Sequence, residues 1–213
     1  MTDLGFSCLD ARPDPFAASP TLLFRLRLTE PDGGRVQAAV LRCQIRVEPR
    51  RRRHTPREAE LLGDLFGDPS RWGTTLTALQ FANVSATVPG FTGETEIDLP
   101  VPVTYDLEVA AAKYFAALDD GEIPLILLFS GTVFTRTPQG LSAGQVPWDR
   151  EARHRLPVAV WRELMDRHFP GQGWLRLDRE TLRELGRFKS ARALTTWDET
   201  VRALLAQTRE AAG

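Results

Sequence analysis

The chain has 213 residues, 42% apolar and 26% charged, with 27 Lys and Arg against 28 Asp and Glu for a formal net charge of -1. That is long enough to bury a full core without disulfides or metals, and the near-neutral balance argues against whole-chain disorder and against a polycationic nucleic-acid binder. Two cysteines, Cys8 and Cys43, make neither a disulfide framework nor a tetrahedral site, the start MTDLGFSCLD lacks a basic, apolar leader, and no run approaches the roughly 20 apolar residues of a membrane span.

These features predict a protein of a reducing, cytoplasmic compartment. In chain order, Leu22, Phe24, Leu26 and Leu28 alternate with Arg25 and Arg27, the period of a strand with one face buried and one wet. The turn Pro31-Asp32-Gly33-Gly34 follows, then Leu41, Cys43, Ile45 and Val47 alternate with Arg42, Gln44 and Arg46, so the pair reads as a hairpin. Val36, Ala38 and Val40 are out of phase by one residue, which a bulge near Val40 would reconcile.

Thr55-Pro56-Arg57-Glu58 carries the hydroxyl, proline and carboxylate of a capping box, and Leu61, Leu62, Leu65 and Phe66 make one apolar stripe up to Gly67. Alternation resumes at Ile97, Leu99, Val101 and Val103, with Pro100 and Pro102 marking an edge or a strand end. Leu107 to Leu118 reads as a helix, and the apolar run Ile123 to Phe134 as a central strand. Pro147-Trp148-Asp149 closes the strand-like part. Behind it come three short helices: one begun at Pro157 and stopped by Pro170, one capped by Asp178, and one capped by Thr196 with Glu199.

The expectation is an α+β fold, an antiparallel β-sandwich or twisted sheet over residues 1–148 with inserted short helices, and a C-terminal three-helix layer over residues 149–213 packed on it.

No segment carries a catalytic signature. The run Arg50, Arg51, Arg52 and Arg53 before His54 is the densest charge cluster; without interleaved aromatics it reads as a solvated link rather than a nucleic-acid site, and at most as a protein contact. His54, His154 and His168 lack a second ligand at helical spacing, so no metal is expected. Ser130 before Gly131 lacks the glycine two residues earlier that a nucleophile elbow needs. Glu94, Glu96 and Asp98 share one strand face and are expected to pair with Arg42 and Arg46 or to face water. Trp148 and Trp174, both in loops, are the best candidates for a contact surface.

The segments LQFANVSATVPGFTGETEIDLPVPVTYDLEVAAAKYF, DGEIPLILLFSGTVF and FPGQGWLRLDRETLRELGRFKSARALTTWDETVRALL together resemble a family of actinobacterial proteins of about this length, often encoded beside subunits of high-affinity nickel–iron hydrogenases. The resemblance spans nearly the whole chain and supplies no catalytic residues. It implies an accessory role in which a hydrogenase subunit is the partner. A remoter similarity, of strand and helix order alone, is to a SecB-type preprotein chaperone. The expected function is thus a non-catalytic protein-binding factor without cofactor, nucleic acid or membrane, with self-association left open. The rivals are a holdase for unfolded chains and an enzyme whose site is assembled from distant residues such as Glu96, Asp98 and His154.

Overall fold

The computed structural model describes residues 4–104, 109–137, 140–172 and 176–211. It is an α+β fold with two antiparallel sheets and a helical C-terminal segment. In the first sheet β2 (Thr21–Thr29) lies between β1 (Gly5–Pro13) and β5 (Glu94–Pro102). The second runs β4 (Leu79–Thr92), β3 (Arg35–Val47), β6 (Glu122–Thr137), with β7 (Gly140–Gln145) and β8 (Glu151–Pro157) both on the outer edge of β6. β6 is long enough for both: Glu122–Leu128 pair with β8 and Thr132–Thr137 with β7.

The alternation in β2 works as read, since Leu22, Phe24, Leu26 and Leu28 are buried. Its partner differs. β2 and β3 do not form a hairpin, because β1 and β5 occupy both edges of β2 while β4 and β6 occupy both edges of β3. The Pro31–Gly34 link therefore carries the chain from one sheet to the other, with Gly33 at φ 70° and the Glu30 N–H donating to the Gly93 carbonyl at 2.6 Å. The bulge sits at Gln37 rather than Val40: the register against β6 shifts between Val36 and Ala38, and Val40 is left 48% exposed. Pro100 and Pro102 do lie on an edge strand, β5. Strand structure also continues past Trp148 through β8, so the change to helix comes at Pro157. The one strand that follows Trp148, β8, is short and polar outside, which is why no apolar period announced it.

Four short helices are inserted between strands: α1 (Pro56–Leu61), α2 (Gly63–Phe66), α3 (Trp72–Thr75) and α4 (Ala110–Ala117). The capping box at Thr55 and Glu58 is formed in both directions. α5 (Val158–His168) starts at Pro157 as expected. It buries Trp161 edge-on against Phe115 of α4 at 4.8 Å, and Phe115 in turn meets Phe81 of β4 at 5.1 Å. Between the sheets Phe6 of β1 stacks on Phe129 of β6 with ring centres 4.2 Å apart. No described helix is long and apolar enough to cross a membrane.

The chain divides into two compact units, Met1–Trp174 and Leu175–Gly213. The first holds both sheets and α1 to α5, and every apolar residue of the buried core lies in it. The second is the pair α6 (Arg179–Ala191) and α7 (Trp197–Ala211). Asp178 caps α6 by accepting from the Thr181 N–H at 2.8 Å, Thr196 and Glu199 cap α7 reciprocally, and Ala193 takes the left-handed conformation at φ 52° in the turn between them. Gly186 leaves room for the Trp197 ring to lie against α6. Leu182, Val201 and Leu205 remain exposed.

Candidate functional site

The arginine run has four separate destinations. Residues Pro49–Arg51 form a single 3-10 turn after β3. Arg50 donates to the Gly73 and Leu76 carbonyls at the end of α3, at 2.6 and 2.8 Å, satisfying groups that a helix C-terminus leaves unpaired. Arg51 pairs with Glu48 at 2.8 Å. Arg52 turns inward to Glu58 and to the Glu122 carbonyl at 3.1 Å, and Arg53 alone is exposed without a polar partner among the described residues.

Glu58 is 1% exposed and collects donors from three directions: the Thr55 N–H at 2.9 Å, the Asp119 N–H at 2.9 Å and the Arg52 guanidinium. Burial pushes its pKa up, but the Thr55 and Asp119 amides together with Arg52 outweigh that and hold it below the ordinary carboxylate value. Beside it, His54 Nε2 meets the Tyr114 hydroxyl at 2.9 Å and the imidazole lies edge-on to Trp72. Burial, then the neighbouring Arg52 charge, lowers the His54 pKa, and burial raises that of Tyr114. The result is a polar knot tying the inserted helices to the strand end at Glu122. Two of the four arginines, Arg50 and Arg52, are committed to it or to the adjoining helix end.

The residues of the enzyme rival do not meet. Glu96 and Asp98 stand on the wet face of β5, where Glu96 pairs with Arg25 at 3.1 Å and Arg27 at 2.7 Å, and Asp98 with Arg12 at 2.7 Å. Their partners come from β1 and β2 of their own sheet, not from Arg42 and Arg46 of the other sheet. His154 of β8 points inward instead, edge-on to the buried Phe24 at 6.0 Å, with its Nε2 buried and unbonded. Burial lowers its pKa against the opposing pull of Asp10 and Glu122. Ser130 is exposed beside Gly131. No three His, Cys, Asp or Glu residues among those described are grouped to hold a metal ion. An open groove beside the β8–α5 junction is lined by Asp119, Arg162, Glu163 and Arg167 among others. Of these four residues, Arg167 pairs with Glu163 at 2.8 Å, Asp119 pairs with Arg57 at 3.3 Å, and Arg162 donates to the Leu118 carbonyl. Cys8 of β1 and Cys43 of β3 are free thiols, and burial pushes both pKa values up to about 12.

Trp148 is 93% exposed. Its turn is fixed by the Arg150 N–H donating to the Pro147 carbonyl, and both flanks are bonded to β6, Val146 N–H to Gly131 O and Phe129 N–H to Arg150 O, each at 2.9 Å. The turn fills the gap on the β6 edge between β7 and β8. Trp174 lies outside the described residues. Sequence reasoning missed Phe16, 94% exposed in the β1–β2 turn; the Pro15-Phe16 pair in a turn was the available sign. It also missed β7, whose segment GLSAGQ has neither charge nor an apolar period.

No protein of curated function matches the chain. Solved structures similar to it include a late embryogenesis abundant (LEA) protein at 13% identity, with 72% of this chain and 70% of that one covered and a TM-score of 0.34. Another is beta-glucosidase 3B from Thermotoga neapolitana at 14% identity, 72% of this chain, 17% of that one and a TM-score of 0.26. A beta-glucosidase from Kluyveromyces marxianus gives 9%, 73%, 15% and 0.22 in the same order. Across its whole length, residues 1–213, the chain matches the model of a family of unknown function (DUF6084), and it belongs to that family.

Proposed function

We propose that this protein is a non-catalytic accessory factor that acts in the cytoplasm by binding another protein, with Trp148 at the centre of the contact. The observation that carries the reading is a nearly fully exposed indole on a turn bonded to the sheet at both ends. Covering such a ring gains about 3 kcal/mol, and a turn already held in place loses little freedom on binding. Tryptophan is also among the residues that most often dominate a contact. The partner in this proposal is a subunit of a nickel–iron hydrogenase, suggested by the resemblance of the chain's long segments to proteins encoded beside such enzymes.

The test is co-expression of the tagged chain with the hydrogenase subunits of its host. The wild-type chain should retain a subunit, and Trp148→Ala should weaken that binding by about 2 kcal/mol with an unchanged circular dichroism spectrum. Retention of no subunit, or equal retention by the variant, would sink the reading. The exposed Leu182, Val201 and Leu205 of α6 and α7 favour one other reading, a holdase. In that case the chain should suppress aggregation of unrelated unfolded proteins whether or not Trp148 is present.

A further inference from the structure

β7 is the open end of the second sheet. It closes the order β4, β3, β6, β7, and no described strand pairs with its other edge. Elsewhere the outer strands abut one another across the two sheets, β1 beside β8 and β4 beside β5.

The pattern of bonds along β6 tells which backbone groups of β7 point outward. The Glu48 N–H donates to Pro124 O on the β3 side, whereas Phe129 N–H and Gly131 O bond on the opposite side, to Arg150 and Val146. Even-numbered residues of β6 thus face β3, and odd-numbered ones face β7 and β8. In the register of Val133 with Gly144, Thr135 with Ser142 and Thr137 with Gly140, those three β7 residues bond β6. Leu141, Ala143 and Gln145 present their N–H and C=O groups to the open side.

Exposed edges are normally blunted by Lys, Pro or a bulge, because they template pairing with another chain. Gly140-Leu141-Ser142-Ala143-Gly144-Gln145 contains none of these and no charge.

We infer that β7 is a self-association edge and that its occupant is β7 of a second copy of this chain, antiparallel about a two-fold axis through Ala143. A two-fold interface demands a patch complementary to itself. This edge meets that demand: Ala143 faces Ala143 of the second copy, and Leu141 faces Gln145. Every outward N–H then finds an outward C=O. No charged side chain meets its own image, which a Lys or Glu at the centre would force. Leu141, 69% exposed, loses water contact in the same step. This goes beyond the accessory-factor reading and stands or falls separately from it.

The experiment is light scattering coupled to size exclusion on the full chain over a wide range of concentration. The expected mass rises to twice the 23.8 kDa chain. Ala143→Pro removes an outward N–H and no β6–β7 bond, and Ala143→Asp sets two like charges face to face; each should weaken association at least about tenfold with the far-UV spectrum retained. If the proline variant misfolds, the aspartate variant and wild-type hydrogen exchange decide, since the Leu141, Ala143 and Gln145 amides should gain protection as concentration rises. A single-chain mass at every concentration would overturn the inference, as would a dimer indifferent to the substitutions. So would β7 protection that arises only on adding a hydrogenase subunit, which would make the edge a site for a foreign strand.

Discussion

Glu58 is the side chain on which the polar knot turns. Three donors converge on a carboxylate with almost no water, so Glu58→Ala strips the α1 cap and leaves the Arg52 cation largely buried without its counter-charge. The expected loss is about 3 kcal/mol in urea unfolding, and Glu58→Gln should fail to restore it because the charge is what Arg52 lacks. Acid acts on the same knot. A carboxyl whose folded pKa is held below 4.5 adds stability above that pH and loses it as pH falls through the folded value. The imidazoles act earlier: His54 and His154 have folded pKa values below 6.5, so their contribution is complete above pH 6.5 and erodes as pH falls below it, when the unfolded chain takes protons first. Urea midpoints should therefore be flat from neutrality up to the thiol range near pH 9 and decline below neutrality, by at most about 1.4 kcal/mol per pH unit for each ring, and His154→Phe should remove part of the slope. The cap was legible from Thr55 and Glu58 because three residues of spacing is all a capping box needs. The burial of Arg52 was not, because a row of arginines looks the same whether one of them turns inward or none does.

Among the elements, β6 has to serve two outer strands and changes partner at Gly131. There the backbone takes φ 145°, and a side chain would overlap the Val40 carbonyl oxygen of β3. Gly131→Ala combines strain with a backbone clash that no flexible neighbour can relieve, so a loss of about 3 kcal/mol or more is expected in thermal unfolding, against little effect at the open Gly144. Strand existence could be read wherever one face was apolar, as in β2 and the second half of β3. Pairing could not, because period two fixes which face is buried but not which edge is met. Pro31–Gly34 has the composition of a hairpin turn, and only the occupied edges of β2 and β3 show that it is a crossing between sheets. β8 hid for a related reason, since Ala152, His154 and Leu156 make a weak apolar face on a strand that alternates them with Glu151, Arg153 and Arg155.

For the molecule as a whole, the apolar core is complete within the first compact unit. A chain ending at residue 174 should accordingly unfold cooperatively in urea with the sheet signature intact, whereas the segment from residue 175 onward, with Leu182, Trp197, Val201 and Leu205 exposed, should show little helix alone. Loss of cooperativity in the shortened chain would show that α6 and α7 are needed for the core. The fold class was legible from the order of alternating and capped segments. An exposed aromatic was legible only at Trp148, because exposure of a loop aromatic depends on what the rest of the chain leaves uncovered, as Phe16 shows. The cysteines carry a last consequence. With Cys43 buried and its pKa pushed up to about 12, almost no thiolate exists there at neutral pH, so alkylating reagents find a nucleophile at Cys43 only when the sheets open. Labelling at Cys43 then counts opening events, and the count of two cysteines says little about whether the surroundings are oxidising or reducing.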